Sequence, residues 1–120
     1  MLKKILIVDD SLASVKLIQG ILEQAGYPSV GICDPTRVEE FVDVERPGAI
    51  LLDVVMPQRN GFQVCRELKS QEAYAEIPVI LVTTKNSPSD KFWGTKQGAD
   101  GYVTKPFTQA ELLDELRRFV

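Results

Sequence analysis

The sequence predicts a doubly wound α/β fold, a five-stranded parallel sheet with helices on both faces. Three observations carry that prediction. Five short apolar runs, near 4–8, 30–33, 49–53, 78–83 and 101–104, alternate with five helix-like segments near 12–25, 36–45, 61–71, 88–97 and 108–119, the order of elements expected of a parallel α/β domain. The runs are apolar almost throughout, as strands covered on both faces are. Residues with chemistry to offer stand at the downstream ends of four runs. Asp9 and Asp10 follow Ile5-Leu6-Ile7-Val8, Asp53 follows Ala49-Ile50-Leu51-Leu52, Thr83 and Thr84 follow Val79-Ile80-Leu81-Val82, and Lys105 follows Gly101-Tyr102-Val103-Thr104. Ligand sites of such sheets lie outside the carboxyl ends of the strands, so these side chains are expected to meet at one edge.

Each element has local reasons. The first helix carries Leu12, Val15, Ile18, Leu22 and Ala25 at helical spacing, with Asp10 or Ser11 placed to cap it and Gly26 to stop it. The third strand ends at Asp53 and opens into the loop Val54-Val55-Met56-Pro57-Gln58-Arg59-Asn60-Gly61. The fourth helix starts well, with Ser87 as cap, Pro88 in the first turn and Asp90 as an acidic start. Its interior then holds Gly94 and Thr95; Gly alone costs about 1 kcal/mol there. Such a helix is either a moving part beside the site or a segment held by Phe92 and Trp93 packing on the sheet. The last helix shows Leu112, Leu113, Leu116 and Phe119, with a capping box from Thr108 and Glu111. It reaches Val120 without a cap, which leaves room for further residues downstream.

Composition narrows the function classes. A chain of 120 residues without linker or repeat is expected to form a single domain over 1–120, with no output domain. The net charge of −3, with acids and bases interspersed, offers no footprint for nucleic acid. No apolar stretch approaches the ~20 residues that span a bilayer, so membrane insertion is not expected. Met1-Leu2-Lys3-Lys4 begins like a leader, but Asp9 and Asp10 cut its apolar run short. Cys33 and Cys65 lack metal-site spacing and read as buried free thiols, and the chain reads as cytoplasmic. Histidine is absent. That excludes a Ser-His-Asp triad or a His-ligated metal within this chain, and any phosphohistidine must belong to a partner.

Asp9, Asp10 and Asp53 would crowd three negative charges into one crevice, which a cation must compensate. Oxygen-only donors favour a hard ion, and few carboxylates suit Mg²⁺, which also binds phosphate oxygens. Lys105 adds a point charge for phosphate and Thr83 a hydroxyl. Together they suit phosphoryl transfer, with one carboxylate as nucleophile. Asp53, at the end of the central run, is the best placed to attack; Asp9 and Asp10 are placed as metal ligands or their supports.

These residues resemble a known family. Ile5-Leu6-Ile7-Val8-Asp9-Asp10-Ser11, Leu52-Asp53 with Met56-Pro57 and Gly61, Thr83-Thr84, Gly98-Ala99 with Tyr102, and Lys105-Pro106-Phe107 together resemble receiver domains of two-component response regulators, of the chemotaxis-regulator type. The resemblance covers the whole chain. It implies a flavodoxin-like (βα)5 fold with strand order 2-1-3-4-5, an order for which the chemotaxis regulators are themselves a standard example. It further implies Asp53 as phosphoacceptor and Mg²⁺ held by Asp10, Asp53 and the Val55 carbonyl, with Asp9 acting mainly through water. Thr83 and Lys105 would bind the phosphoryl oxygens, Thr83 and Tyr102 would switch, and the Lys105–Pro106 peptide would be cis. A histidine kinase or histidine phosphotransfer protein would be the donor. The face of the fourth helix, fifth strand and fifth helix, near Lys91, Thr95, Tyr102 and Phe107, would dock a downstream protein. The chain itself would be a monomer or weak dimer.

Two positions depart from the chemotaxis pattern: Val55 is aliphatic two after the acceptor, and Lys85 is cationic two after Thr83. Both are expected to slow self-dephosphorylation. Val82-Thr83-Thr84-Lys85, Asp90-Lys91-Phe92-Trp93-Gly94 and Gln97-Gly98-Ala99 resemble a narrower group, the stand-alone regulators of type IV pilus chemosensory systems. An aspartate-nucleophile phosphohydrolase is disfavoured, because Val55 stands where its second acid is needed. A flavin or dinucleotide carrier is disfavoured because no GxGxxG follows the first strand.

Overall fold

A computed structural model describes residues 3–120; Met1 and Leu2, the start of the leader-like segment, lie outside the described residues. Strand β1 (Ile5–Val8) leads into α1 (Leu12–Gln24), then β2 (Ser29–Ile32). A 3₁₀ turn over Pro35–Arg37 opens α2 (Val38–Glu45), followed by β3 (Ala49–Leu52), α3 (Gly61–Lys69), β4 (Val79–Thr83), α4 (Pro88–Lys96), β5 (Gly101–Thr104) and α5 (Gln109–Leu116). All strand pairs are parallel, in the order β2-β1-β3-β4-β5. The doubly wound fold and its strand order are as expected. Among these residues no helix is long and apolar enough to cross a membrane.

Alternation along the buried strands splits the core in two. Leu6, Val8, Ile50, Leu52, Val79 and Leu81 face α2 and α3 through Val38, Val42, Val64, Cys65 and Leu68. Ile5, Ile7, Ala49, Leu51, Ile80 and Val82 face α1 and α5 through Val15, Ile18, Leu22, Leu112, Leu113 and Leu116. Full burial of each large aliphatic side chain contributes about 1.5–3 kcal/mol. Both faces are thus sealed, which leaves the strand ends as the place for polar chemistry.

Register decides what meets there. Val8 pairs with Leu52 on β3 and with Ile32 on β2, so Asp9 and Asp53 emerge side by side in the next row. The backbone extends one step to match: Asp53 N–H donates to the Val8 carbonyl at 2.9 Å. On the other side Thr83 pairs with Thr104, and Lys105 N–H donates to the Thr83 carbonyl at 2.8 Å.

The helix starts follow their local signals. Ser11, not Asp10, caps α1, its Oγ accepting from Ser14 N–H. The Ser87/Asp90 and Thr108/Glu111 boxes are reciprocal, and Gly26 turns the chain at φ 87°. The stripe of α1 begins later than its spacing predicts: Val15, Ile18 and Leu22 are buried, whereas Leu12 is 59 % exposed. Of the two thiols expected to be buried, Cys65 on α3 is buried, but Cys33, just past the end of β2, is exposed. Packing of Phe92 and Trp93 on the sheet is overturned, since they are 62 % and 50 % exposed. Gly94 is the inward residue of α4. A Cβ there would come within 2.9 Å of Leu81 Cδ1 and 3.3 Å of the Tyr102 ring, so glycine allows the helix to lie close on β4 and β5.

A second close approach bears on the site. Gly61, first residue of α3, donates its N–H to the Val54 carbonyl at 2.9 Å. An added Cβ would sit 2.1 Å from the Asp53 carbonyl oxygen and 2.8 Å from Val54 Cα. Backbone cannot yield as a flexible side chain does. Gly61→Ala is therefore expected to lower stability by about 1–3 kcal/mol, the range for overpacking. Urea unfolding measures it, and an unchanged midpoint would show that the approach is looser than described.

Candidate functional site

The edge formed by the carboxyl ends of β1, β3, β4 and β5 gathers the predicted residues. Asp9 is buried, and both its oxygens are engaged: Oδ1 accepts from Ser11 N–H at 2.9 Å and Oδ2 from Lys105 Nζ at 2.6 Å. Asp53 is also buried, with 8 % exposure. Its Oδ1 accepts from the N–H groups of Val54 (2.7 Å) and Val55 (3.3 Å), and its Oδ2 faces Lys105 Nζ at 3.3 Å. Asp10 is exposed, and no hydrogen bond reaches its side chain among the described residues. Because Ser11 takes the capping role, the Asp10 carboxylate is left to the crevice. One oxygen from each of Asp9, Asp10 and Asp53 lies within 4.8 Å of the others.

Lys105 closes the cluster from the end of β5, immediately before a cis Lys105–Pro106 peptide. Burial works against its positive charge, but the hydrogen bond to Asp9 and the field of Asp53 outweigh this and raise its pKa. Three carboxylates against one ammonium still leave the crevice short of positive charge. An all-oxygen donor set of this kind, with one carboxylate exposed and uncommitted, fits Mg²⁺, which keeps waters and needs few protein ligands. Lys105 also reaches Ser14 Oγ at 3.4 Å. Sequence reading missed Ser14; its signal was a small polar residue one turn beyond the Ser11 cap, on the side of the helix that carries Val15 and Ile18.

Thr83 is fully buried and Thr84 is exposed, so β4 offers one hydroxyl to this edge. Thr83 Oγ1 accepts from Lys85 N–H at 3.4 Å. Tyr102 lies beyond it, half-buried on β5, with its Oη donating to the Lys85 carbonyl at 2.6 Å. Burial, then the charges of Asp90 and Asp53, push its phenol up to about 12, so it stays a donor. Thr83 and Tyr102 therefore hold the same residue of the β4–α4 loop, one through its N–H and the other through its carbonyl. Val55 is 53 % exposed at the mouth, and Lys85 is exposed too.

Sequence reading also missed Arg59. Its guanidinium reaches Pro35, Glu39 and Glu67 from the β3–α3 loop. Nothing local announces those partners, since Glu39 lies 20 positions away.

Known proteins share this arrangement. The family described as the response regulator receiver domain matches residues 5–117. The chain is 40 % identical over 110 residues to Protein PilH of Pseudomonas aeruginosa, covering 92 % of this chain and 91 % of PilH. It is 38 % identical over 110 residues to the alkaline phosphatase synthesis transcriptional regulatory protein PhoP of Bacillus subtilis, covering 92 % of this chain but only 45 % of PhoP. The chain thus spans less than half the length of that relative. Among solved structures, the chemotaxis protein CheY4 of Vibrio cholerae superposes over the whole of both chains with a TM-score of 0.93 at 32 % identity. Receiver domains are signalling phosphoacceptors that histidine kinases or phosphotransfer proteins phosphorylate, and they generally bind Mg²⁺. With its parallel 2-1-3-4-5 sheet, its acidic crevice and a family match over nearly its full length, this chain belongs to the response regulator receiver domain family.

Proposed function

We propose that this chain is a phosphorylation switch in which Asp53 accepts a phosphoryl group from a partner's phosphohistidine. The observation that carries the reading is Lys105 Nζ lying between Asp9 and Asp53, at 2.6 and 3.3 Å. One ammonium is thereby held where a phosphoryl group on Asp53 would need it. The Asp53 carboxylate attacks phosphorus, the P–N bond of the donor breaks, and its electron pair leaves on the imidazole nitrogen. The chain supplies no histidine of its own.

Asp10, Asp53 and the Val55 carbonyl are the groups that would hold Mg²⁺, with Asp9 acting through water and fixed meanwhile by Lys105. Bound there, the ion offsets the carboxylates and the incoming phosphoryl charge, which is most of what such a transfer needs. Val54 and Val55 N–H groups orient the attacking carboxylate through Oδ1. Lys105 and Thr83 provide a cation and a hydroxyl for the phosphoryl oxygens.

Phosphorylation replaces the single charge of the Asp53 carboxylate with a phosphoryl group that carries about −1.5 to −2 charges and three strong acceptor oxygens. The Thr83 hydroxyl, which accepts a long contact from Lys85 N–H, then donates its proton to a charged acceptor, and its movement toward the phosphoryl group draws it away from Lys85. The loop it releases is the one Tyr102 holds through the Lys85 carbonyl, so Tyr102 and α4 respond together. Gly94 makes α4 the element best able to shift, because a small residue rather than an interlocked side chain forms its contact with the sheet. The α4–β5–α5 face near Lys91, Thr95, Tyr102 and Phe107 is the docking face for a downstream protein. A coupling of this kind is typically worth 1–3 kcal/mol, about 5–150-fold in partner affinity. The similarity to PilH supports a place in type IV pilus signalling.

Intact mass after incubation with phosphoramidate is expected to show one Mg²⁺-dependent phosphoryl adduct on the wild type and none on Asp53→Asn. Absence of the adduct on the wild type, or its survival in the variant, would sink the assignment. The acyl phosphate is expected to last well beyond seconds, because Val55 presents no group to orient water. Val55→Asn should shorten that lifetime several-fold; an unchanged or longer lifetime would exclude this role. In the bacterium that carries the gene, deletion should alter pilus-driven surface movement and leave flagellar swimming intact, and the reverse pattern would remove the pilus reading.

A further inference from the structure

The β3–α3 loop, Val54–Asn60, has an internal weakness. Gln58 adopts φ 70° without being glycine, a left-handed conformation that side chains disfavour. At its foot the loop is closed by Gly61 N–H on the Val54 carbonyl, and within its apex Arg59 N–H donates to the Pro57 carbonyl at 2.7 Å. Among the described residues, only the Arg59 guanidinium carries hydrogen bonds from that apex to neighbouring elements. Nη1 donates to the Pro35 carbonyl at 3.0 Å and to Glu39 Oε1 at 2.8 Å, Nη2 to Glu39 Oε2, and Nε to Glu67 Oε1 at 3.3 Å.

The Glu39 pair is bidentate and the Arg59 side chain is only 13 % exposed, the circumstances in which an arginine–carboxylate contact is geometrically selective rather than a loose surface pair. The hydrogen bonds of the pair hold the Glu39 carboxyl below its usual range. One side chain thus joins the start of α2, the loop and α3. The same loop carries Val54 and Val55, whose N–H groups hold Asp53 Oδ1.

We propose that Arg59 is the positioning residue of this site. By clamping the loop to Glu39, it keeps the Val54 and Val55 amides on Asp53 and keeps the Val55 carbonyl available to the divalent ion. The role rests on the reading of Asp53 as a Mg²⁺-dependent phosphoacceptor. It acts through other residues; Arg59 touches none of the carboxylates of the crevice.

Calorimetric titration of the 120-residue chain with MgCl₂ tests it, with urea midpoints and phosphoramidate-driven rates in parallel. Arg59→Met and Glu39→Gln are each expected to weaken Mg²⁺ binding about 10-fold, the lower end of the range for residues that support metal ligands. The double variant should be no weaker than the poorer single, because both changes break one contact. Lys4→Met is the control: it breaks the Lys4–Glu45 pair (2.6 Å) at the opposite end of the sheet. It should lower the urea midpoint and leave Mg²⁺ affinity at the wild-type value. Glu39→Gln keeps side-chain volume and carries the test if Arg59→Met fails to fold. Unchanged Mg²⁺ affinity in the folded Arg59 or Glu39 variants, or an equal loss in Lys4→Met, would overturn the role. A wild-type chain that takes neither Mg²⁺ nor a phosphoryl group would instead overturn the phosphoacceptor reading, and this role with it.

Discussion

Like-charge crowding at the strand ends is the constraint around which this molecule is arranged. Oxygens of Asp9, Asp10 and Asp53 lie within 4.8 Å of one another. At an effective dielectric of about 20, each pair of unit charges at that separation repels by about 3 kcal/mol. Lys105 provides two attractions against three such repulsions, at 2.6 Å and 3.3 Å. The remaining deficit of positive charge is a standing demand for a cation, and it makes the crevice sensitive to any change in charge on Asp53. A protein selected for stability alone would place aliphatic or neutral residues here, as it does along the rest of the strands.

The rest of the edge follows from that demand. Backbone amides are committed to the carboxylates: Ser11 to Asp9, Val54 and Val55 to Asp53. Each amide favours a fixed rotamer for the acid it holds, so the negative charges stay in place rather than swinging into water. Gly61 is needed because α3 must start against the Asp53 carbonyl with no room for a Cβ. Elsewhere the two apolar layers are interlocked by fully buried aliphatics. Rigid support and a charged rim are thus complementary: the interlocked layers hold the strand ends, and with them the acidic residues, in one row.

Among the helices α4 stands apart. Its inward residue is a glycine, and its large aromatics face solvent. Its start is secured by a reciprocal Ser87/Asp90 box, and its neighbour Tyr102 is tied to the preceding loop by one hydrogen bond. The helix is therefore well nucleated yet thinly packed, a combination that permits displacement as a unit without unfolding.

Strand runs, helix caps and the strand-end chemistry were legible in the sequence because each depends on residues close together in the chain. Apolar runs of four or five residues identify buried strands, and the boxes at Ser87 and Thr108 identify helix starts, whatever lies across the domain. Once parallel pairing is inferred, Asp9, Asp53, Thr83 and Lys105 must converge, because side-by-side strands end in one row. Other features depended on tertiary structure. Which face of α4 turns inward was not legible, because its apolar residues form no stripe and glycine packing is decided by Leu81 and Tyr102. Leu12 fits the helical period yet is exposed, since period alone does not say where the covering surface ends. The contacts of Ser14 and Arg59 exist only because the fold brings Lys105 and Glu39, distant in sequence, to them. Local periodicity and capping determine the elements and the edge where they deliver chemistry; long-range electrostatics and packing decide which side chains hold that edge in shape.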